Sequence, residues 1–204
     1  MRILAIDSAT PACSVALFDD GTLVAGDYAE LGRGHAERLV PMIAALPGRG
    51  RADRILVARG PGSFTGVRIG IATARALGLA WGAQVRGYGT LDLVAAMARV
   101  QVGAQSVAVA MRGGHGEWFV REFGADGVPQ GETRSLAPDA AAAAARAETV
   151  AGSEADGLIQ RRGFGNAIPL LPDARHAPSL PDHAITTDAA PLYGRGPDAR
   201  PSAG

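Results

Sequence analysis

The chain has 204 residues, with 20 basic and 20 acidic side chains, no net charge, and 47% hydrophobic against 20% charged residues. That balance describes a globular chain with a core of its own, one domain or two small ones, and excludes a broad nonspecific nucleic-acid surface. The single Cys13 excludes an internal disulfide and suits a reducing cytosol.

Met1 runs directly into a strand pattern, and no apolar run approaches the roughly 18 residues of a membrane span. The sequence therefore predicts a cytoplasmic protein with no membrane partner. Residues 2–6 read as a buried strand ending at Asp7, and residues 12–18 as a second strand. Asp19-Asp20-Gly21 reads as a hairpin turn, with a third strand over 22–28. The turn Asp7-Ser8-Ala9-Thr10 brings one carboxylate and two hydroxyls together. Such a turn can hold a phosphate or a hydrated Mg²⁺, or its side chains can cap their own backbone. Leu39, Met42, Ile43 and Leu46 follow the i, i+3, i+4, i+7 spacing of an amphipathic helix, with Pro41 in its first turn or at a kink. His35 and Glu37 open that helix. A metal pair there needs a ligand four residues after His35, where Leu39 stands, and His115, His176 and His183 have no ligand spacing.

An apolar strand at 55–58 leads into Gly60-Pro61-Gly62-Ser63-Phe64-Thr65-Gly66-Val67-Arg68-Ile69-Gly70 and a helix over 67–80. The chain contains no Lys, which excludes a P-loop. The dinucleotide fingerprint fails at Thr65, where a glycine is required. What remains is a tight turn with bare backbone N–H groups, Ser63 and Thr65 as N-cap candidates, and Pro61 stiffening the entry. Gly70, Ala74 and Gly78 make a small-residue stripe on the helix, open to close approach by its own sheet or by a partner. A strand at 84–88 and a helix at 91–100 complete the order βββαβαβα, an α/β layer on a mixed sheet.

The second half restarts with a strand at 106–110 and its hairpin partner at 117–123. A helix over 137–148 begins at Pro138, and 149–151 is a short strand. Beyond Gly163 periodicity fades, and 195–204 reads as a loose tail. Both halves open with a strand–turn–strand unit, which predicts two related domains, 1–102 and 103–190, and a tail over 191–204. Nucleophilic catalysis has little support: Ser8 and Ser63 lack identifiable His/Asp partners, and Cys13 lies mid-strand, where a free Cys is usually a small buried hydrophobe.

Four stretches together resemble the TsaB (YeaZ) family: Ile3-Leu4-Ala5-Ile6-Asp7-Ser8-Ala9-Thr10, Ala12 to Leu17, His35-Ala36-Glu37-Arg38-Leu39 with Pro41, and Gly60 to Gly70. The match covers the first hundred residues. It thins to Met111-Arg112, Gly116-Glu117-Trp118 and Pro191-Leu192-Tyr193-Gly194-Arg195 with Pro197-Asp198-Ala199. The resemblance implies the actin-like/Hsp70 ATPase (ribonuclease H-like) fold. It implies a non-catalytic subunit in tRNA threonylcarbamoyladenosine synthesis, which binds the catalytic paralogue TsaD, is joined by the ATPase TsaE, and meets tRNA only through that complex. A homodimer is the expected form where TsaD is absent.

The paralogue binds its metal through two His four apart; the corresponding segment here, Tyr88 to Val94, holds none. The resemblance accordingly assigns no catalytic or metal residue. Asp7, Ser8 and Thr10 resemble a degenerate phosphate loop lacking its Gly, so ATP or ADP is expected only in the complex. The expected partner interface comprises His35, Glu37, Leu39, Met42, Ile43, Gly66, Arg68, Gly70, Ala74 and Gly78, on helices 36–46 and 67–80. The signature loop Gly60, Pro61, Gly62, Ser63, Phe64, Thr65 launches the second helix. Two alternatives stand beside it: an ATP-hydrolysing enzyme using Asp7, Ser8 and Thr10, and a metalloprotease, against which the missing His pair argues.

Overall fold

The opening apolar run Arg2–Asp7 (β1) pairs antiparallel with Ala12–Asp19 (β2), and β2 with Thr22–Glu30 (β3), in the computed structural model, which describes residues 1–194. Asp20 and Gly21 both take positive φ, the left-handed pair that a two-residue hairpin turn needs. The chain then forms His35–Ala45 (α1), Arg54–Ala58 (β4), Phe64–Trp81 (α2), Gln84–Tyr88 (β5) and Thr90–Val102 (α3). β4 lies parallel to β1 and β5 parallel to β4, giving the order β3-β2-β1-β4-β5. Pro41 stands inside α1, not in its first turn, on an exposed side.

The second half repeats the plan. Val107–Arg112 (β6), Trp118–Phe123 (β7) and Pro129–Leu136 (β8) form an antiparallel meander. Pro138–Ala144 (α4), Thr149–Ala151 (β9), Ala155–Arg162 (α5) and Asn166–Ile168 (β10) follow. With β9 parallel to β6 and β10 parallel to β9, the order is β8-β7-β6-β9-β10, strand for strand that of the first sheet. The sequence signals for β8, α5 and β10 were too weak to read, and α4 stops four residues short of 148 because Ala145 turns extended.

One helix joins the two cores. Leu93, Ala96 and Met97 of α3 enter the first, while Leu91, Val94, Ala95 and Ala98 enter the second. A helix apolar all round belongs in an interior, and α3 lies between the two sheets. α1 and α2 touch each other over the other face of the first sheet, and α4 and α5 cover the outer face of the second.

The second domain does not extend from 103 to 190. Its strands and helices end at Ile168, and the chain returns through 3-10 turns at Ala174–Ser179 and Asp182–Ala184. Ile185–Thr186 (β11) then pairs antiparallel with β5, adding a sixth strand to the first sheet. Ala174, Ala177, Leu180, Ala184 and Ala189 belong to the first core, and the Ala174 amide donates to Ser14 Oγ at 2.9 Å. This segment covers apolar surface of β1 and β2 on the α3 side of the sheet. Pro191–Gly194 is docked too, the Leu192 amide donating to Arg59 O at 2.7 Å. The rest of the predicted tail lies outside the described residues. Among those described, no helix is long and apolar enough to cross a membrane.

Candidate functional site

The glycines of the signature loop are close-approach residues. The Ser63 amide donates to Ala9 O at 2.7 Å and Ser8 Oγ donates to Gly66 O at 2.9 Å. A Cβ on Gly62 would lie 2.0 Å from Ala9 O, and one on Gly66 2.1 Å from Ser8 O. Only glycine lets the two backbones meet this closely. Ser63 caps α2 by accepting from the Gly66 amide at 3.2 Å, so the helix begins at Phe64, three residues before the predicted start, with Thr65 inside it. The Gly60–Pro61 peptide is cis.

The contact engages Ser8, and the other groups expected to meet a phosphate have partners nearby. Asp7 Oδ1 accepts from the Ala9 amide at 3.0 Å, and the Tyr88 hydroxyl lies 3.0 Å from Ile6 O and 3.3 Å from Asp7 Oδ2. Thr10 Oγ1 accepts from the Ala12 amide at 3.2 Å. Asp7 has no solvent contact, and burial pushes its carboxyl up to about 7, with Asp173 adding a smaller push. Asp7, Ser8 and Thr10 thus hold β1 and its turn to their neighbours, their side-chain oxygens engaged within the chain. The second lobe is stitched in the same way. The Glu154 amide donates to Ala110 O at 3.1 Å, the Arg112 amide donates to Ser153 Oγ at 2.9 Å, and a Cβ on Gly152 would lie 2.3 Å from Ala110 O.

Most residues expected on the partner surface face inward. His35 is buried, its Nε2 2.8 Å from Thr10 O, and clasps the β1–β2 turn. Leu39, Met42 and Ile43 lie in the first core. Gly66, Gly70, Ala74 and Gly78 are buried as well: a Cβ on Gly70 would meet Ser8 Oγ at 2.5 Å, and one on Gly78 would meet Val85 Cγ2 at 2.5 Å. The stripe is small because the sheet is what it approaches. Glu37 and Arg68 alone of the expected set are exposed.

The outward face carries a different stripe. Ala72, Ala76 and Ala80, again at i, i+4 and i+8, are exposed on α2, beside Leu79 at 89% exposure. On α1 the exposed positions include Ala36, Val40 (53%) and Ala44. That alanine pattern is visible in the sequence, two residues out of phase with Gly70, Ala74 and Gly78. Between the starts of α1 and α2 a hollow of about 450 Å³ is lined by Arg33, His35, Glu37, Ser63, Thr65 and Ile69.

The segment from Tyr88 to Val94 is engaged within the chain. Tyr88 is spent on β1, and Asp92 folds over Gly89 with Arg121 Nη1 3.7 Å from its carboxylate. Among the described residues no cluster of three His, Cys, Asp or Glu could hold a metal ion.

The family model for TsaD, tRNA N6-adenosine threonylcarbamoyltransferase, matches residues 29–172. The tRNA threonylcarbamoyladenosine biosynthesis protein TsaB of Escherichia coli is 42% identical over 139 residues, 65% of this chain and 60% of that protein's length. An uncharacterized Mycobacterium tuberculosis protein is 32% identical over 98% of this chain and 95% of its own. YeaZ from Pseudomonas aeruginosa superposes with a TM-score of 0.79 at 30% identity, over 94% of this chain and 99% of that one. The ethanolamine utilization protein EutJ of Carboxydothermus hydrogenoformans, 12% identical with a TM-score of 0.51, shares the fold alone. With its duplicated mixed sheets of the actin-like fold and its Gly60–Gly70 signature, this chain belongs to the TsaB (YeaZ) family.

Proposed function

We propose that the chain is a non-catalytic subunit for tRNA threonylcarbamoyladenosine modification, which binds and supports the catalytic TsaD paralogue together with TsaE. The observation that carries this reading is the exposed face of α1 and α2, where Ala72, Ala76, Ala80, Val40 and Leu79 stand in water on two adjacent helices. Contiguous exposed apolar surface marks an interaction site, and small side chains allow helices to pack at short distance. The lack of ligand His in the segment from Tyr88 to Val94 supports a supporting role over a catalytic one.

Ala76→Glu tests it by placing a charge in the middle of that face. The variant is expected to melt like the parent and to lose affinity for TsaD by roughly 100-fold, about 3 kcal/mol. Undiminished co-elution of Ala76→Glu with TsaD on size exclusion would overturn the assignment.

A further inference from the structure

Phe64, Arg68 and Tyr193 form a cluster at the start of α2, beside the alanine face. Phe64 and Tyr193 are 59% and 51% exposed, with ring centroids 5.9 Å apart and planes 29° apart. The Arg68 guanidinium carbon lies 3.3 Å from the Phe64 ring centre, and Nη2 donates to the Tyr193 hydroxyl at 2.9 Å. The C-terminal segment holds this arrangement in place. Arg59 Nε donates to Ala190 O at 2.8 Å, Leu192 is bound to the Arg59 carbonyl, and Gly194 packs against Phe119 and Pro61. Side chains ordered before contact lose little further entropy when a partner arrives.

The cluster is cationic within a chain of zero net charge. The first turn of α2 has no acidic residue to offset the positive end of the helix dipole. Neither Arg68 nor Arg75 has an ion-pair partner among the described residues, while Asp188 is taken by Arg59 at 3.7 Å. Glu37 lines the hollow on the Thr65–Ile69 flank of α2. Tyr and Arg are among the residue types that dominate interface energies, and Phe is enriched at interfaces.

We propose that Phe64, Arg68 and Tyr193 receive a carboxylate-bearing segment of the protein partner, its carboxylate on Arg68 and an apolar flank against Phe64. This inference rests on the partner reading above and adds the C-terminal segment to the docking surface. A protein segment is favoured over a nucleic-acid strand because Arg68 stands one turn before Ala72, so the patch continues the apolar face. Arg68 also covers one face of Phe64, leaving little platform for stacked bases.

The test is calorimetry of the full chain with TsaD at low and high salt, using Arg68→Gln, Tyr193→Ala and Ala76→Glu, each checked by thermal melt. Arg68→Gln is expected to weaken binding roughly tenfold and to flatten its salt dependence, and Tyr193→Ala to weaken it several-fold. Parent-like affinity and salt slope in both, with Ala76→Glu abolishing binding, would sink the inference and leave the helical interface standing. Loss in Arg68→Gln with none in Ala76→Glu would remove the helical face and keep the cluster. No binding by the parent chain would remove both. A fluorescent single-stranded RNA serves as the competing probe: if Arg68→Gln loses RNA binding but keeps TsaD affinity, the surface belongs to nucleic acid and the inference fails.

Discussion

Asp7 ends β1 without solvent contact, held by the Ala9 amide and beside the Tyr88 hydroxyl. Its folded-state value, about 7 against 3.8 for an exposed carboxyl, means that the folded chain holds the proton more tightly than the unfolded chain. The stability this contributes is fully present below pH ~4 and is lost as pH rises through about 7, a change on the order of 4 kcal/mol. Asp7→Asn keeps the acceptor for Ala9 and removes the titration. Urea melts from pH 4 to 8 are therefore expected to show the stability difference, variant minus parent, rising with pH and levelling above 7; a constant difference would refute it. The glycines give a second prediction at this scale. Gly66→Ala forces a Cβ against Ser8 O and should cost more than ~3 kcal/mol in a thermal melt, whereas Gly21→Ala meets open space and should cost about 1 kcal/mol for its positive φ alone. The sequence marks Asp7 as unusual, but its meaning comes from Tyr88, 81 residues later, and no local pattern announces that contact.

In α2 the inward and outward stripes have the same spacing and similar residues, so periodicity locates the helix without saying which face meets the sheet. The contacts of Gly70 and Gly78 decide the matter. Gly70→Leu is therefore expected to destabilise the chain itself, by more than ~3 kcal/mol, with any loss of pairing following from unfolding. Ala76→Glu leaves the melt unchanged and acts only on pairing. Denaturation curves of the two variants separate these outcomes, and a stable, non-pairing Gly70→Leu would place that stripe in the partner interface. Elements with strong periodicity or turn chemistry were legible: β1 to β5, α1 to α3 and the β6–β7 hairpin. β8 was not, because Pro-Gln-Gly-Glu-Thr-Arg-Ser-Leu carries no apolar alternation and becomes a strand through pairing with β7. α5 was hidden by Gly157, whose missing side chain admits the Trp118 ring at 3.2 Å from the would-be Cβ.

Because α3 supplies apolar side chains to both cores, the lobes share one support. Denaturant unfolding is expected to follow a single transition by fluorescence and circular dichroism, and residues 1–104 alone should not fold. That fragment would expose Leu91, Val94, Ala95 and Ala98 and would lack the cover that Ala174, Ala177 and Leu180 place on the first sheet. Two separate transitions, or a folded fragment by proton NMR, would show the lobes to be independent. The duplicated plan was legible from the repeated strand–turn–strand openings, but the return of the chain after Ile168 was not, since residues 169–189 have little periodicity and make their contacts far away in sequence. The pairing of β11 with β5 has a consequence for synthesis. Translation must reach Thr186 before the first sheet gains its last strand, so a chain halted earlier leaves the outer edge of β5 bare. The lobe made first is thus finished last, and truncated products leave bare the Gly87–Tyr88 end of β5 that the full-length protein covers.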